Sequence, residues 1–500
     1  MTKSWPFAAL FTVVALLAIP AAAQENMQPR QTNTVSAGIF SLLPADSVTN
    51  HVLKTARREM AYTATAGTLD LYGQDGTVTA KVFYTAYIAR DRPSKRPLTF
   101  AFNGGPGAAS AYLHLGLVGP KILDFGPESN DGTTPTLRDN PESWLDFTDL
   151  VVIDPVGTGW SRAASNDAAT RFYGVKQDAE TLAKIITLYV QHNDRLGAPK
   201  YLLGESYGGF RAAKVASALR DSQGILVSGI IMVSPLIDGR LLFGATDYPL
   251  GAALQLPSLA AAELERKNAF STQALTKAEK FAMSDYLVAL AGTPPAGAQA
   301  DALYQRLSDL TGIPKNAITR TRGFLGDIYT KNVGDIAGAI NSPYDASYAA
   351  PDPYPEAAYD RSDDPILDGF TRAYGAAFAS YARNQLGFAC EMTYNLLAQD
   401  INSQWDWNGN RADASASGNI RELLSTIPSF RLMVVHGYSD ALTPYGASRY
   451  VLNHLPASLA KGRTELKMYR GGHMFYTQQD SRKSMTEDAR KFYAGETSTE

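Results

Sequence analysis

Residues 204–208, Gly-Glu-Ser-Tyr-Gly, constrain the fold of this chain more than any other stretch. They follow an apolar run at 201–203 and precede residues 209–216, whose composition is typical of a helix. A G-x-S-x-G pattern between a strand and a helix predicts a turn so tight that the serine hydroxyl stands clear of the backbone. Glycine and serine are common residues, so the assignment depends on the rest of the chain.

Short apolar runs recur along the chain, and most are separated by stretches with helical spacing. The runs cover residues 98–102, 150–153, 201–203, 230–233 and 432–435. Such runs are typical of buried parallel strands, and residues 61–90 add a predicted β-hairpin around the turn at 73–76. We therefore predict an α/β fold, with a mostly parallel sheet and helices on both of its faces.

The predicted domain organisation depends on residue 237, after which apolar runs no longer alternate with helical stretches. With 500 residues and 45% hydrophobic content, the chain can bury one large core together with an insertion. Residues 238–427 contain helical segments and a loop rich in tyrosine and proline, and this stretch is too long for a crossover. We predict a core in two parts, 61–237 and 428–500, with 238–427 as an inserted, mainly helical cap. The polar stretch 24–60 is predicted to be an irregular arm.

The first residues have the pattern of an export signal. Lys3 is followed by an apolar stretch at 7–19 and by Ala21-Ala22-Ala23, a small-residue cleavage site. A membrane anchor is the competing hypothesis, but the apolar stretch is short for a span and ends at Pro20. We expect residues 1–23 to be a signal peptide and the mature protein to be periplasmic or secreted, with no membrane contact.

Charge and cysteine content exclude several classes of function. The formal net charge is −3 and the chain has no long run of Lys or Arg, so nucleic-acid binding is not expected. The sole cysteine, Cys390, excludes an intrachain disulfide and a thiolate metal cluster, and its apolar neighbours predict a core position. No paired histidines at ligand spacing support a metal site.

The types and the order of three polar residues predict nucleophilic catalysis. Asp440 follows the apolar run 432–435, and His473 follows residues 465–469, so both come after predicted strands. In the order Ser206, Asp440, His473, the histidine would take the proton of the serine, and the aspartate would hold the correct imidazole tautomer. His436 is a competing candidate that we expect to pack at the end of a strand.

A second glycine-rich segment, Phe-Asn-Gly-Gly-Pro-Gly at 102–107, follows the predicted strand at 98–102. Glycines allow backbone N–H groups to approach a ligand, and this position suits one donor of an oxyanion hole. The N–H of Tyr207, the residue after the nucleophile, would be the other donor. The alternative is a flexible turn without a binding role.

Together these motifs resemble the serine carboxypeptidase family, peptidase family S10. The resemblance is carried by residues 103–107, 154–161 and 204–209 together with Asp440 and Gly472-His473. It implies an α/β-hydrolase fold with an inserted cap, no cofactor, and removal of C-terminal residues from peptides. It also implies that Gly105 and Tyr207 supply the oxyanion N–H groups, and that Asn103 and Glu205 bind the terminal carboxylate of the substrate. The absence of cysteine from residues 107–110 fits a bacterial-type exported member.

A carboxylate-binding role is physically reasonable for Glu205, because burial raises the pKa of a carboxyl and a protonated carboxyl can donate to a carboxylate. Two positions depart from the family pattern. Leu117 stands where family members commonly have an acid, and Ala101 stands where they often have tryptophan. Both place the usual recognition of a terminal carboxylate in doubt.

Three hypotheses for function follow. The first is a serine carboxypeptidase that works through an acyl-enzyme. The second is an esterase or acyltransferase on the same fold, favoured by Leu117. The third is a non-catalytic binding protein on a hydrolase scaffold, against which the complete set Ser206, Asp440 and His473 argues.

Overall fold

The computed structural model describes residues 38–90, 93, 95–126, 130–332 and 336–496. The predicted signal peptide, residues 1–23, and the first part of the predicted arm, residues 24–37, lie outside this range. None of the helices within the described ranges combines the length and the apolar character that a membrane crossing needs.

Most of the strands belong to one ten-stranded sheet, and β2 and β3 are its longest members, with 14 and 12 residues. In chain order they are β1 Ser47–Lys54, β2 Glu59–Tyr72, β3 Val78–Ala89, β4 Leu98–Phe102, β5 Lys121–Asp124, β6 Thr136–Asp139, β7 Asp149–Ile153, β8 Arg162–Ala163, β9 Lys200–Glu205, β10 Gly229–Val233, β11 Ala339–Asn341, β12 Ala349–Pro351, β13 Arg431–Gly437 and β14 Thr464–Tyr469.

The main sheet has the order β1-β2-β3-β7-β4-β9-β10-β13-β14, with β8 paired to β3. From β7 to β14 all neighbours are parallel, whereas β1, β2, β3 and β7 pair antiparallel. The five predicted core strands and the predicted hairpin are all confirmed. They are recognisable from sequence because β4, β7 and β10 are buried along their whole length, as strands covered on both faces must be.

The helices are α1 Ala111–Leu113, α2 Asn166–Ala169, α3 Val175–His192, α4 Tyr207–Ala218, α5 Gly239–Leu242, α6 Pro249–Arg266, α7 Thr272–Phe281, α8 Leu287–Ala291, α9 Gly297–Thr311, α10 Lys315–Arg320, α11 Ala373–Asn384, α12 Gln399–Gln404, α13 Ser417–Thr426, α14 Tyr445–Asn453, α15 Ala457–Ala460 and α16 Gln479–Ala494.

Two hydrophobic clusters lie on opposite faces of the sheet. In β10, Ile230 and Met232 belong to one cluster, and Ile231 and Val233 belong to the other. Successive side chains of a strand point to opposite faces, so each strand serves both clusters. Helices α3, α4 and α13 contribute to the first cluster, and α11 and α16 contribute to the second. Helices therefore cover both faces, as predicted for an α/β fold.

The prediction of an irregular arm is wrong for residues 47–54. These residues form β1, which pairs antiparallel with β2 at the edge of the sheet. Alternate positions of β1 remain in contact with solvent, and Val48 and Val52 are exposed. An edge strand that buries only one face needs few apolar residues, and so its sequence lacks the dense apolar run of a central strand.

The predicted cap, 238–427, falls between β10 and β13 and is mainly helical, but it is not one uniform unit. Helices α6, α7, α9 and α10 pack around a separate hydrophobic cluster. Later parts of the same stretch pack on the sheet instead: Ile420 and Leu424 of α13 share a cluster with β10 and β13, and Tyr374 and Phe378 of α11 share the opposite one. The chain thus returns to the core well before residue 428.

Candidate active site

The candidate site lies where the direction of strand order changes. From β4 the chain continues to β7 on one side, and then returns to form β9 on the other side of β4. Ligands of such sheets bind in the crevice at the carboxyl ends of these neighbouring strands. The glycine-rich segment follows β4 and the serine turn follows β9, so the two predicted loops meet there.

Glycine is required where these two loops touch. A Cβ atom on Gly104 would lie 2.6 Å from the carbonyl oxygen of Glu205 and 2.6 Å from the backbone nitrogen of Tyr207. On the other side, a Cβ atom on Gly208 would lie 2.7 Å from the carbonyl oxygen of Phe102. Contacts this short with backbone atoms leave no room for a side chain, and so both positions are fixed as glycine by packing.

Ser206 has the backbone conformation that the G-x-S-x-G pattern predicts. Its φ is 60° and its ψ is −126°, a region that non-glycine residues seldom occupy and that is often found at functional sites. Three backbone hydrogen bonds hold it: its N–H donates to the carbonyl of Val233 at 2.9 Å, and its own carbonyl accepts from the N–H groups of Leu236 and Gly209, both at 3.0 Å. Ser206 is only partly buried, whereas its neighbours Glu205 and Tyr207 are buried.

Asp440 and His473 come together as the sequence predicts. Asp440 follows β13, His473 follows β14, and these strands are parallel neighbours. The Nδ1 atom of His473 lies 3.0 Å from Oδ2 of Asp440. The other oxygen, Oδ1, accepts from the N–H groups of Leu442 and Thr443 at 3.0 and 2.9 Å. Asp440 is thus held by its own loop in the position that fixes the Nδ1–H tautomer of the imidazole.

These contacts set the charges of the pair. Burial alone would raise the pKa of Asp440, but the positive charge of His473 and the hydrogen bond from this histidine hold it at about 2. For His473, burial acts to lower the pKa, and the charge of Asp440 outweighs it so that the pKa is raised. Asp440 is therefore an anion at any working pH, and it stabilises the imidazolium that a general base must become.

The second nitrogen of His473, Nε2, is buried and has no hydrogen-bond partner within the described residues. The ring of Tyr344 packs edge-on against the imidazole with 4.8 Å between centroids, and the carbonyl of Tyr344 accepts the backbone N–H of His473 at 2.5 Å. Hydrogen bonds of catalytic groups often form only when substrate is bound. Nε2 is therefore the ring nitrogen left without a partner among the described residues, and so the one that can accept a proton.

The two predicted oxyanion donors also lie on the loops that meet at this edge. Gly105 has a φ of +97°, which favours glycine and sets the course of the loop after β4. Tyr207 is the first residue of α4, where backbone N–H groups have no partner inside the helix. Neither N–H donates a hydrogen bond within the part of the chain that the structure describes.

Asn103 and Glu205 are in direct contact beside this edge. The Nδ2 of Asn103 donates to Oε2 of Glu205 at 2.6 Å, and the hydroxyl of Tyr476 donates to the same oxygen at 2.7 Å. Burial raises the pKa of Glu205 to about 7, although the positive charge of His473 and these two hydrogen bonds partly oppose the shift. Glu205 is therefore neutral in mildly acidic solution, as the sequence argument requires.

The two departures from the family pattern are both fully buried. Leu117 lies in a short π-helical segment, His114–Val118, and has no exposed surface. Ala101 is equally buried in β4. Leu117 offers no polar side-chain atom, and the hydrogen bonds to Glu205 come from Asn103 and from the hydroxyl of Tyr476.

His436, the competing histidine, lies next to Asp440 but is engaged elsewhere. Its Nε2 is 2.8 Å from the hydroxyl of Ser448, and its Nδ1 is 3.9 Å from Asp440 Oδ2, beyond hydrogen-bond distance. It is completely buried, and burial lowers its pKa although the charge of Asp440 opposes this. It therefore packs at the end of β13, and His473 remains the base candidate.

Three residues of the site escape prediction from the sequence. Thr443 lies 2.8 Å from Asp440 Oδ2 and 3.0 Å from His473 Nδ1, Tyr476 donates to Glu205, and Tyr344 packs on His473. Thr443 and Tyr476 each come three residues after a predicted site residue, and that proximity could have drawn attention to them. Tyr344 comes from the inserted segment, and its sequence carries no comparable signal.

No group of three or more His, Cys, Asp or Glu side chains within the described ranges is arranged to hold a metal ion. Cys390 is buried, and its thiol points to the carbonyl of Leu42 at a sulfur–oxygen distance of 3.6 Å. It belongs to the same hydrophobic cluster as α11, as its apolar neighbours predict.

Comparison with known proteins shows a family likeness for part of the chain. Residues 61–280 match the serine carboxypeptidase family (Peptidase S10). A segment of 163 residues is 29% identical to serine carboxypeptidase-like 44 from Arabidopsis thaliana and covers 32% of each chain. Another, of 196 residues, is 29% identical to pheromone-processing carboxypeptidase KEX1 from Phytophthora infestans and covers 36% of this chain and 27% of that protein. These alignments span about a third of the curated relatives' length.

A solved structure extends the likeness of the fold to nearly the whole chain. The prohormone-processing carboxypeptidase KEX1(ΔP) from Saccharomyces cerevisiae superposes with a TM-score of 0.54 at 15% identity, covering 91% of this chain and 94% of that one. At this identity the superposition establishes the fold only. The chain therefore has an α/β-hydrolase fold, and its residues 61–280 are similar in sequence to the serine carboxypeptidase family.

Proposed function

We propose that this protein is a serine-type carboxypeptidase that removes C-terminal residues from peptides through an acyl-enzyme. The observation that carries the proposal is the joint presence, at one sheet edge, of the Asp440–His473 pair, the Ser206 turn and the neutral Glu205 carboxyl. The first two supply the chemistry of acyl transfer, and the third supplies recognition of a free C-terminus. The family likeness of residues 61–280 supports the same conclusion.

In the proposed reaction, His473 transfers protons between Ser206, the leaving group and water. The Oγ of Ser206 attacks the carbonyl carbon of the scissile amide while Nε2 of His473 takes the hydroxyl proton. The N–H groups of Gly105 and Tyr207 stabilise the oxyanion that forms on the former carbonyl oxygen. His473 then gives its proton to the leaving nitrogen, and the C–N bond breaks to leave an ester on Ser206. His473 then takes a proton from water, whose oxygen attacks the ester carbon. The bond to Ser206 Oγ breaks as His473 returns the proton to Oγ, and the shortened peptide leaves as a carboxylic acid.

Asn103 and Glu205 provide the selection for the terminus. A neutral Glu205 can donate a hydrogen bond to the substrate carboxylate, whereas an ionised Glu205 would repel it. The raised pKa of Glu205, about 7, keeps the carboxyl neutral where a peptide carboxylate is already ionised. Free-acid peptides are therefore expected to bind best below neutrality.

Leu117 keeps a second candidate function in view. A buried leucine adds no polar group for a terminal carboxylate, so an esterase or acyltransferase with the same nucleophile is the alternative. The two activities differ in substrate preference. A carboxypeptidase prefers substrates with a free C-terminal carboxylate, and an esterase does not distinguish substrates by this group.

We further propose that the protein is exported to the periplasm or the medium. The support is the pattern of the predicted signal peptide at 1–23, with cleavage expected before Gln24. N-terminal sequencing of protein recovered from periplasm or medium tests this, and an uncleaved chain in the membrane fraction would contradict it. The bacterial-type assignment is likewise a proposal from sequence, since the relatives compared above come from Arabidopsis thaliana and Phytophthora infestans.

The test of the proposed activity combines a peptide library with the variant Ser206→Ala. Mass spectrometry after incubation should show products shortened by C-terminal residues with wild type and none with the variant, because alanine fits the turn but carries no nucleophile. A fluorophosphonate probe should label wild type at Ser206 and leave the variant unlabelled. Near-normal peptide cleavage by Ser206→Ala would contradict the assignment, and cleavage of esters alone would favour the second candidate.

A further inference from the structure

The two oxygens of the Glu205 carboxyl have different surroundings. Oε2 accepts two hydrogen bonds, from Asn103 Nδ2 at 2.6 Å and from the Tyr476 hydroxyl at 2.7 Å. No hydrogen bond reaches Oε1 from any residue that the structure describes. A neutral carboxyl has one O–H, and an oxygen that already accepts two donors is a poor place for it. The surroundings therefore favour the proton on Oε1.

Asn103 cannot change this arrangement by turning over its amide. Its Oδ1 accepts the backbone N–H of Leu113 at 3.0 Å, so Nδ2 is the atom directed to Glu205. The backbone carbonyl of Asn103 accepts a hydrogen bond from the buried guanidinium of Arg211, which pairs with Asp178 at 2.6 Å. Arg211 thus holds the backbone of Asn103, and Leu113 holds its side-chain amide with Nδ2 directed at Oε2 of Glu205.

Tyr476 is equally confined. It is completely buried in a single 3-10 turn, Phe475–Thr477, which begins two residues after His473. Gly116 packs against it so closely that a Cβ atom there would lie 2.6 Å from Tyr476 Cε2. Burial raises the pKa of Tyr476 well above its usual value, and the charge of Glu205 adds to this. The hydroxyl therefore keeps its proton and stays a donor throughout the working pH range.

Other titratable groups surround Glu205, but few of them change charge near neutrality. They are His473, Asp440, Tyr112, Tyr344, Tyr374 and Tyr476, with Arg372 and Arg482 acting on Tyr112 and Tyr374. The tyrosines all have raised pKa values, and the pKa of Asp440 is about 2. Glu205, with a pKa of about 7, therefore changes its charge near neutrality, and the pKa of His473 is raised by the charge of Asp440.

We propose that Tyr476 is a positioning and specificity-determining residue: with Asn103, it fixes the proton of Glu205 on Oε1, so that this oxygen donates to the terminal carboxylate of a bound peptide. This inference rests on the proposed carboxypeptidase function. In a chain with leucine at position 117, a neutral phenol thus takes part in recognition of the C-terminus. The substrate class is peptides with a free C-terminal carboxylate, rather than amides or esters.

The experiment measures kcat/KM for the free acid and the amide of one peptide between pH 5 and 8, in wild type and in Tyr476→Phe. Phenylalanine fills the same space, and circular dichroism verifies the fold. We expect the preference for the free acid below pH 6 to fall by about three- to tenfold, as for the loss of one hydrogen bond. The pH at which this preference is lost should move upward, because a donor that favours the ionised Glu205 is gone.

A matched control is Tyr286→Phe, which also removes a buried hydroxyl that donates a hydrogen bond, to the carbonyl of Gly323 at 2.8 Å within the helical insertion. It should leave both the preference and its pH dependence unchanged. If Tyr476→Phe lowers the rates on both substrates equally and leaves the pH dependence unchanged, Tyr476 only supports packing and the inference is wrong. If wild type itself does not prefer the free acid, the proposed recognition of the C-terminus fails, and the inference fails with it.

Discussion

Asp440 and Glu205 are two buried carboxyls of one candidate site, with 0% and 3% of their surface exposed, yet their pKa values move in opposite directions. The pKa of Asp440 falls to about 2, and that of Glu205 rises to about 7. Burial acts on both in the same direction. What differs is the set of groups that each carboxyl meets.

Asp440 receives donors on both oxygens, including two backbone N–H groups and the imidazole of His473, which becomes a cation. Glu205 receives two neutral donors on one oxygen only. Hydrogen bonds and a cation stabilise an ionised carboxyl, and burial without them stabilises a neutral one. Two carboxyl groups therefore have different roles because their surroundings differ. Asp440 is an anion beside His473, and Glu205 is a neutral hydrogen-bond donor for the substrate.

The largest effect on rate is expected when the negative charge of Asp440 is removed. Asp440→Asn keeps the shape of the side chain but presents an amide to His473. The amide favours the wrong imidazole tautomer and does not stabilise the imidazolium. We expect kcat to fall on the order of 10⁴-fold, equally for free-acid and amide peptides. Steady-state kinetics on both substrates measure this, and a loss confined to free-acid peptides would contradict the role given to Asp440.

A smaller effect, confined to free-acid peptides, is expected when Glu205 is replaced by a side chain that cannot ionise. Glu205→Gln carries an amide donor that does not titrate, so a free-acid peptide is no longer repelled above pH 7. At pH 8 the variant should exceed wild type on free-acid peptides by about tenfold, the factor by which the neutral fraction of a group with a pKa near 7 has fallen. Amide peptides should show little change.

The same variant also simplifies the pH profile. In wild type, kcat/KM for free-acid peptides needs neutral His473, favoured at higher pH, and neutral Glu205, favoured at lower pH, so its optimum lies below that for amides. In Glu205→Gln the two substrates should follow one profile, set by the raised pKa of His473 alone. Identical profiles already in wild type would mean that Glu205 does not bind the terminus.

The smallest effect is expected from Thr443→Val, which removes one neutral donor from Asp440 and keeps the shape of the side chain. Asp440 retains three donors, so it should stay ionised, although its pKa should rise. We expect kcat to fall by about fivefold for free-acid and amide peptides alike, the value of one modest hydrogen bond. A change in the ratio of the two substrates would show that the two carboxyls are not independent.

Local sequence patterns account for much of the site. Ser206 and Asp440 are recognisable because each follows a strand with a buried apolar run, β9 or β13. His473 follows β14, which is mostly half-buried and mixed in polarity, so it is recognisable mainly by its place after Asp440 in the chain. Gly104 and Gly208 lie where backbone packing excludes any other residue. Asn103 and Glu205 are recognisable only through the family likeness. Their contact depends on β4 and β9 being neighbours, which is a property of the sheet order.

The remaining features depend on packing between distant segments. Tyr344 reaches His473 from the insertion, and Tyr476 reaches Glu205 across 271 positions of the chain. Neither tyrosine lies in a recognisable local pattern. In the sequence, a buried tyrosine that contacts a site residue looks the same as one that only packs in the hydrophobic core. The edge strand β1 is not recognisable from sequence because its half-buried positions include Ser47, Thr49 and His51, whereas Val48 and Val52 are exposed, so no alternating apolar pattern marks an inward face.

The most direct test of the account is the protonation of Glu205 itself. Infrared difference spectra between wild type and Glu205→Gln, recorded from pH 5 to 9 without substrate, isolate the carboxyl band of this residue. The account predicts a protonated-carboxyl band at pH 5 that is replaced by a carboxylate band with a midpoint near 7. A carboxylate band already present at pH 5 would contradict it, because Glu205 would then be an anion like Asp440 and could not donate to a peptide terminus.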